Sequence, residues 1–385
     1  MSTPSKAGPG DEGETWYATA EGRLRPGEEA AGTARGDTQA VARLLARIED
    51  EVAAAPERCF AFAEDGEATL TVAGRTFTAG SFSTPTLGEL RARVQARAGA
   101  GARGRLALSV LSGAHPLTDI GTLQGTAPPR TLFQVASQFN CLEAPGARVV
   151  PVREYIHDST QGPRASVSAF PGTFLRHYRA PAADGSRFVQ RNDGCLNLLG
   201  DALGPHAAAV RNGYLAPSGA DLSALATALE ARFDQIRVGM HGGVEVVFGH
   251  DWSGPVAHGP RRIAQVFTSA MALGGYGRND GSPGNATVIR QLQRAAYLGT
   301  LLAALDLGCE TVVLTMIGGG VFGNPHQAIW SAIHWALAEV EPYVRGTVQI
   351  LANIRGTLAD ADRAQVRARG GVVVHFGPGG IEVQP

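Results

Sequence analysis

Cysteine is scarce and scattered in this chain. Cys59, Cys141, Cys195 and Cys309 form no C-x-x-C pair and no zinc-like spacing, so neither a disulfide framework nor a cysteine metal site is expected. Cys141 and Cys309 lie beside or within apolar runs, which suits small buried hydrophobes. An excess of one charge sign is also missing: the net charge is −1 and only 18% of residues are charged. That balance excludes a broad basic field for nucleic acid or an anionic membrane, but it leaves room for a small anionic ligand held locally. No apolar stretch approaches the roughly 20 residues of a membrane span. The polar start, MSTPSKAGPGDEGETW, lacks the apolar core of a secretory signal. A soluble cytoplasmic protein is therefore expected, unless a secretion route without such a signal exports it. A G-x-S-x-G elbow is absent, which disfavours a serine hydrolase. His326 and His334 stand eight apart, with no metal-ligand spacing, so neither a metal nor a resident cofactor is expected.

What is present suits a buried α/β core. Of the 385 residues, 44% are hydrophobic, enough for more than one typical domain. Residues 1–37 are rich in Gly, Pro, Glu and Thr and read as a disordered leader. In residues 38–100, helical spacing at Val41, Leu44, Leu45 and Ile48 precedes strand-like Cys59–Phe62, Ala68–Val72 and Thr76–Thr78, then helical Leu87–Val94. This reads as a small α+β unit, closed by a Gly/Ala linker at 99–104.

Beyond the linker, strand-like runs alternate with helical ones. The strands are Leu106–Leu111, Thr131–Ala136, Val244–Phe248, Thr311–Ile317, Val348–Ala352 and Val372–Phe376. The helices are Asp221–Ile236, Thr287–Leu305, His326–Val340 and Asp360–Arg367. Long apolar strands interleaved with helices predict a three-layer α/β/α sandwich on a mixed, mostly parallel sheet over residues 104–385. No internal repeat is visible.

The most informative segment is Gly318-Gly319-Gly320-Val321-Phe322-Gly323-Asn324. It joins the apolar strand TVVLTMI to an amphipathic helix, with Asn324 expected as N-cap and Pro325 at the first helical position. A strand, a glycine loop and a helix start present backbone N–H groups to an anion. A tight turn would need one glycine, not four in six residues. No Lys-Ser/Thr pair follows, so a Walker A loop is disfavoured. Gly318, Gly320 and Gly323 satisfy G-x-G-x-x-G, which keeps a Rossmann-type NAD-binding oxidoreductase as a competing reading. However, the acid expected about 20 residues on is missing, since the next strand ends at Asn353 nearer 30 away.

The strand followed by GGGVFGNP and a helix resembles the second phosphate loop of macrodomains, which bind ADP-ribose. Three further blocks match in order. TLFQVASQFN ends at Gln138-Phe139-Asn140, where that family has a functional Asn. His157-Asp158-Ser159-Thr160-Gln161-Gly162-Pro163 resembles the first ligand loop. Gln265-Val266-Phe267-Thr268-Ser269-Ala270, with a helix through Ala295 and Tyr297, resembles a divergent branch. That branch is associated with ADP-ribosyl hydrolases, including bacterial effectors acting on ADP-ribosylated ubiquitin. Two departures stand out. Ser112-Gly113-Ala114-His115 replaces the usual adenine-reading Asp, and residues 180–264 form a long insertion.

The resemblance implies binding of ADP-ribose as ligand or product through Gln138, Phe139, Thr160, Gly162, Ser269, Gly318–Asn324 and Asn353. It implies hydrolysis at Asp158, Asn140 and Gln161. Asp158 is first choice because it precedes the loop, although Asp158 or Thr160 would also serve as a turn or helix cap. Asp193, Asp251 and Asp280 are further candidate acids. The last lies in the Gly-rich segment GGYGRNDGSPGN, where Tyr276 would stack on a ring. The expected activity is removal of ADP-ribose from a protein side chain, with arginine and ubiquitin as the finer expectation. A non-catalytic ADP-ribose reader is the other reading.

Overall fold

Ten lateral pairings tie eleven strands into one sheet. The computed structural model describes residues 16–18, 24–26, 38–98, 103–218, 220–249, 261–277, 281–377 and 380–384. The strands are β1 (Phe60–Phe62), β2 (Ala68–Val72), β3 (Arg75–Ser83), β4 (Arg105–Ser112), β5 (Thr131–Ala136), β6 (Gly239–Val246), β7 (Arg261–Thr268), β8 (Thr311–Thr315), β9 (Thr347–Ile354), β10 (Val373–Gly377) and β11 (Gly380–Gln384). Their order across the sheet is β11-β10-β4-β9-β8-β5-β7-β6-β3-β2-β1. The six strands from β10 to β7 run parallel. Both flanks are antiparallel.

Two buried glutamines show that helices cover both faces. Gln134 on β5 donates to Ala296 O and Thr300 Oγ1 of helix Pro283–Asp306. Phe133, one residue back, faces the other way and lies beside Gln265 of β7. Gln265 donates to Ala165 O of helix Gln161–Ser168. The sheet is thus sandwiched, which explains why β5 and β8 read as near-continuous apolar runs. The 24-residue helix starts with a Ser282 cap accepting from Asn285 N at 3.2 Å and with Pro283 in its first turn.

The residues read as a small N-terminal unit contribute β1–β3 to this same sheet, with β3 pairing β6 through Ser83–Met240 and Phe82–His241. The hairpin expected at Ala73-Gly74-Arg75 is present, with positive φ at both Ala73 and Gly74. Of the leader expected to be disordered, Trp16–Ala18 and Leu24–Pro26 pair as a short hairpin. The rest of it lies outside the described residues.

Several element boundaries differ from expectation, three of them for a clear local reason. The strand expected at Val244–Phe248 begins earlier, at Gly239, and its register breaks between His241 and Val244, where Gly243 takes φ +69°. The helix expected to run to Ile236 stops at Ala231, where Arg232 leaves helical geometry. Strand β8 ends at Thr315, because Ile317 N folds back to Thr315 O and to Tyr297 Oη.

Among the described residues, no helix is long and apolar enough to cross a membrane.

Candidate functional site

Open α/β sheets collect ligands at the carboxyl ends of their strands. Here the ends of β5, β7, β8 and β9 surround a cavity of about 690 Å³. That is within the usual size range for a small-molecule site.

The glycine loop after β8 forms one wall. Gly318 and Gly323 need glycine for their backbone, at φ +73° and +63°. Gly320 does not: its φ is not positive, and a Cβ there would meet nothing within 4 Å. Gly319 N donates to Met316 O, Gly323 N to Gly320 O and Asn324 N to Gly318 O. Among the described residues, the N–H groups of Gly320, Val321 and Phe322 have no acceptor. Consecutive free N–H groups of this kind form an anion nest.

Asn324 does not cap the following helix, which starts at His326 after Pro325. Its side-chain amide instead donates to Met271 O at 2.8 Å, and more weakly to Gly318 O and Phe322 O. This ties the loop to the segment after β7, a role that N-cap statistics could not reveal.

The opposite wall is the start of helix Gln161–Ser168. Thr160 N is satisfied by Asp158 Oδ1 at 2.8 Å. The N–H groups of Gln161 and Gly162 remain without an acceptor among the described residues, at the positive end of the helix dipole. Gly162 is required by contact, since a Cβ would lie 2.0 Å from Ala136 O and 2.8 Å from Glu143 Oε2.

Asp158, Thr160, Gln161, Gly162 and Gln138 line the cavity together with Ser269, Gly318–Phe322 and Asn353. Two of them offer buried acceptors with no partner, Gln138 Oε1 and Asn353 Oδ1, suited to a ligand hydroxyl or amino group. Gln161 has its amide engaged, with Oε1 accepting from Ile120 N and Nε2 donating to Asp119. It therefore anchors the loop. Asn140 does not line the cavity: its amide donates to Asn212 O and accepts from Leu142 N. Phe139 is a buried core residue, and Gly323 and Asn324 support the loop from behind. Asp193 is exposed in a turn outside the cavity. Asp251 and Asp280 lie outside the described residues. Among those described, no group of three or more His, Cys, Asp or Glu side chains has metal-ligand geometry.

Sequence reasoning missed several lining residues, His326 and Arg355 among them, and two others bear most on the site. Tyr214 reaches in from the 180–264 insertion and packs with Tyr276 and Phe322, ring centres 5.1–5.7 Å apart. Tyr276 thus contacts its two aromatic neighbours, and its hydroxyl donates to Pro145 O at 2.9 Å. The second is Glu143. One signal marked it: it is the only charged residue between Thr131 and Ala147.

Glu143 is 3% exposed. Burial pushes its carboxyl well above the usual range; Arg176 opposes this, Asp158 adds to it, and a hydrogen bond from Ser166 opposes it. Glu143 thus holds a proton in the folded state under conditions where the unfolded chain, titrating near pH 4.3, has lost it. Protons bound only by the folded state make stability fall as pH rises between these two titrations. The slope approaches about 1.4 kcal/mol per pH unit for one proton. Glu143→Gln should flatten that slope, as read from urea midpoints between pH 5 and 8. An unchanged slope would place the Glu143 titration at its ordinary value.

No family model matches this sequence, and no curated protein matches it. Solved structures are distantly similar to it. Poly(ADP-ribose) glycohydrolase from Thermomonospora curvata is 15% identical, over 85% of this chain and 99% of that one, with a TM-score of 0.42. The apo enzyme of that name from Deinococcus radiodurans is 12% identical over 75% and 93%, with a TM-score of 0.40. Its complex with ADP-ribose is 15% identical over 74% and 94%, with a TM-score of 0.38. Identity and TM-score are low throughout, so the likeness is distant.

Proposed function

We propose that this protein is a macrodomain-like hydrolase that binds ADP-ribose and cleaves it from a modified side chain. The carrying observation is the buried Glu143 carboxyl in the wall of a cavity that two stretches of free backbone N–H groups also line. Two such stretches suit a diphosphate, and the unpartnered Gln138 and Asn353 oxygens suit ribose hydroxyls or the adenine amino group. The four ordered sequence blocks support the same ligand. Strand β9, beside the glycine loop, ends in Asn353-Ile354-Arg355 without the ribose-reading acid of a dinucleotide fold, which disfavours the oxidoreductase reading.

In this reading Glu143 gives its proton to the leaving atom as the bond to the ribose anomeric carbon breaks. Asp158 takes a proton from the attacking water, whose oxygen bonds to that carbon. Product release and proton exchange with solvent then reset both carboxyls. A guanidinium acceptor, carried on a protein such as ubiquitin, is our finer proposal. It rests on resemblance to the divergent branch.

The test is incubation with proteins ADP-ribosylated on arginine, serine or glutamate, followed by mass spectrometry, alongside calorimetry with ADP-ribose, NAD and ADP. Release from the arginine-linked substrate is expected, with ADP-ribose binding tighter than ADP. Binding without release from any substrate would make the protein a reader. No binding up to millimolar ADP-ribose would remove the macrodomain reading.

A further inference from the structure

Arg176 is a fully buried cation with no direct carboxylate partner among the described residues. The side chain is 0% exposed, and its guanidinium lies 3.6 Å over the Phe267 ring. Its Nε donates to Cys141 O at 3.2 Å, Nη1 to His241 Nδ1 at 3.1 Å, and Nη2 to Thr173 Oγ1 at 3.0 Å. His241 Nε2 lies 2.6 Å from Ala79 O, so its proton sits on Nε2 and Nδ1 is left to accept. Every one of these acceptors is neutral. Burial and Arg176 together push the His241 titration down to about 3, so that ring supplies no countercharge at neutral pH. Burial lowers Arg176 itself only to about 10, and it stays charged.

A buried charge without a partner costs several kcal/mol, and an ionised Glu143 would offset part of that cost. One shared hydroxyl leads to it. Arg176 Nη2 lies 3.5 Å from Ser166 Oγ, and Ser166 Oγ lies 3.4 Å from Glu143 Oε1. These three residues come from helix Phe170–Tyr178, helix Gln161–Ser168 and the loop after β5.

We propose that Arg176, acting through the Ser166 hydroxyl, is the buried countercharge that lets Glu143 alternate between its protonated and ionised forms. Burial alone would trap Glu143 as a permanent acid, able to give a proton once at prohibitive cost. A cation one hydroxyl away stabilises the carboxylate left behind, and Ser166 donates to it in that state. Arg176 is a positioning residue, because it does not line the cavity. Other titratable groups surround Glu143: Arg148, Glu154 and His157 line a neighbouring cavity with it, and His326 and Arg355 line the main one. Tyr155 Oη accepts from Glu143 N and is held protonated by burial. The Cys141 thiol is pushed up to about 12, chiefly by burial. Tyr214 is likewise held protonated by burial. Asp158 faces Glu143 as a carboxyl whose charge opposes its ionisation. Of the cations around it, Arg176 is the one whose charge opposes the upward shift of Glu143.

The proposal rests on Glu143 as proton carrier, so its test reads the proton directly. The carbonyl band of protonated Glu143 is isolated by infrared difference against Glu143→Gln and titrated in wild type, Ser166→Ala, Arg176→Met and Arg176→Lys. The midpoint should rise by about one pH unit or more in Ser166→Ala and Arg176→Met, because an opposite charge or a hydrogen bond favouring the ionised form has been removed. Arg176→Lys, which keeps the charge, should stay near wild type. An alkaline limb of the rate profile should move with the band. If Ser166→Ala, which is expected to fold, leaves the midpoint unchanged, the relay is overturned even where activity falls. Should Arg176→Met fail to fold, Ser166→Ala and Arg176→Lys still decide. If the band shifts as expected but Glu143→Gln retains full hydrolysis, the relay stands and the catalytic assignment of Glu143 fails.

Discussion

Glu143→Gln should lower release of ADP-ribose at least 100-fold while leaving its affinity within about threefold. Positioned proton transfer contributes about 10²–10⁴-fold in rate, and the amide keeps the shape of the carboxyl while removing its proton. Affinity should survive because, in the proposed function, the free N–H groups at Gly320–Phe322 and Gln161–Gly162, not Glu143, hold the diphosphate. Asp158→Asn is expected to reduce release as well, but its Oδ1 also holds Thr160 N, so part of that loss would come from a loosened loop. Glu143 is therefore the cleaner probe. Calorimetry and single-turnover release on the same samples separate the two quantities. Near-wild-type turnover in Glu143→Gln would take this residue out of the chemistry, whatever its burial.

Two glycines of the loop should differ in stability when substituted, though both lose affinity. Gly318→Ala places a Cβ 2.7 Å from both Ala270 Cβ and Asn324 Nδ2, on a backbone at φ +73°. Overpacking of this kind typically costs 1–3 kcal/mol, and an L-residue at positive φ about 1 more. A drop of roughly 2–4 kcal/mol in stability is expected, with affinity lost through the displaced loop. Gly320→Ala meets nothing within 4 Å and needs no unusual φ, so stability should change by less than about 0.5 kcal/mol. Affinity for ADP-ribose should nevertheless fall at least tenfold, because Gly320 lines the cavity and a methyl group would occupy space that the ligand backbone approach requires. Chemical denaturation and calorimetry on both variants test the pair. Unchanged affinity in Gly320→Ala would mean that the diphosphate does not lie on this loop.

The alternation of apolar strands with amphipathic helices, the glycine loop and its flanking elements were legible in the sequence, because each is a local pattern. Thr131–Ala136, Ala68–Val72 and His326–Val340 have the boundaries that periodicity predicts, since apolar runs and amphipathic faces are written residue by residue. Asn324 looks like a cap in the sequence, but its partner, Met271 O, is 53 residues away. Asn140 and Gln161 drew attention as amides beside ligand loops. Whether an amide is free or spent depends on Asn212 and Asp119, which only folding brings near.

The sequence by itself determined that the chain would build a covered sheet with a phosphate-sized glycine loop at one strand end. Those features follow from period, burial and backbone freedom. Only the tertiary structure decided that residues 60–83 extend the same sheet, that Tyr214 from the insertion reaches the cavity, and that Glu143 is a buried acid in its wall. A carboxyl's protonation is set by the dielectric and charges around it. For Glu143 those come from Ser166, Arg176 and Asp158 on separate elements, and no one-dimensional pattern contains their sum.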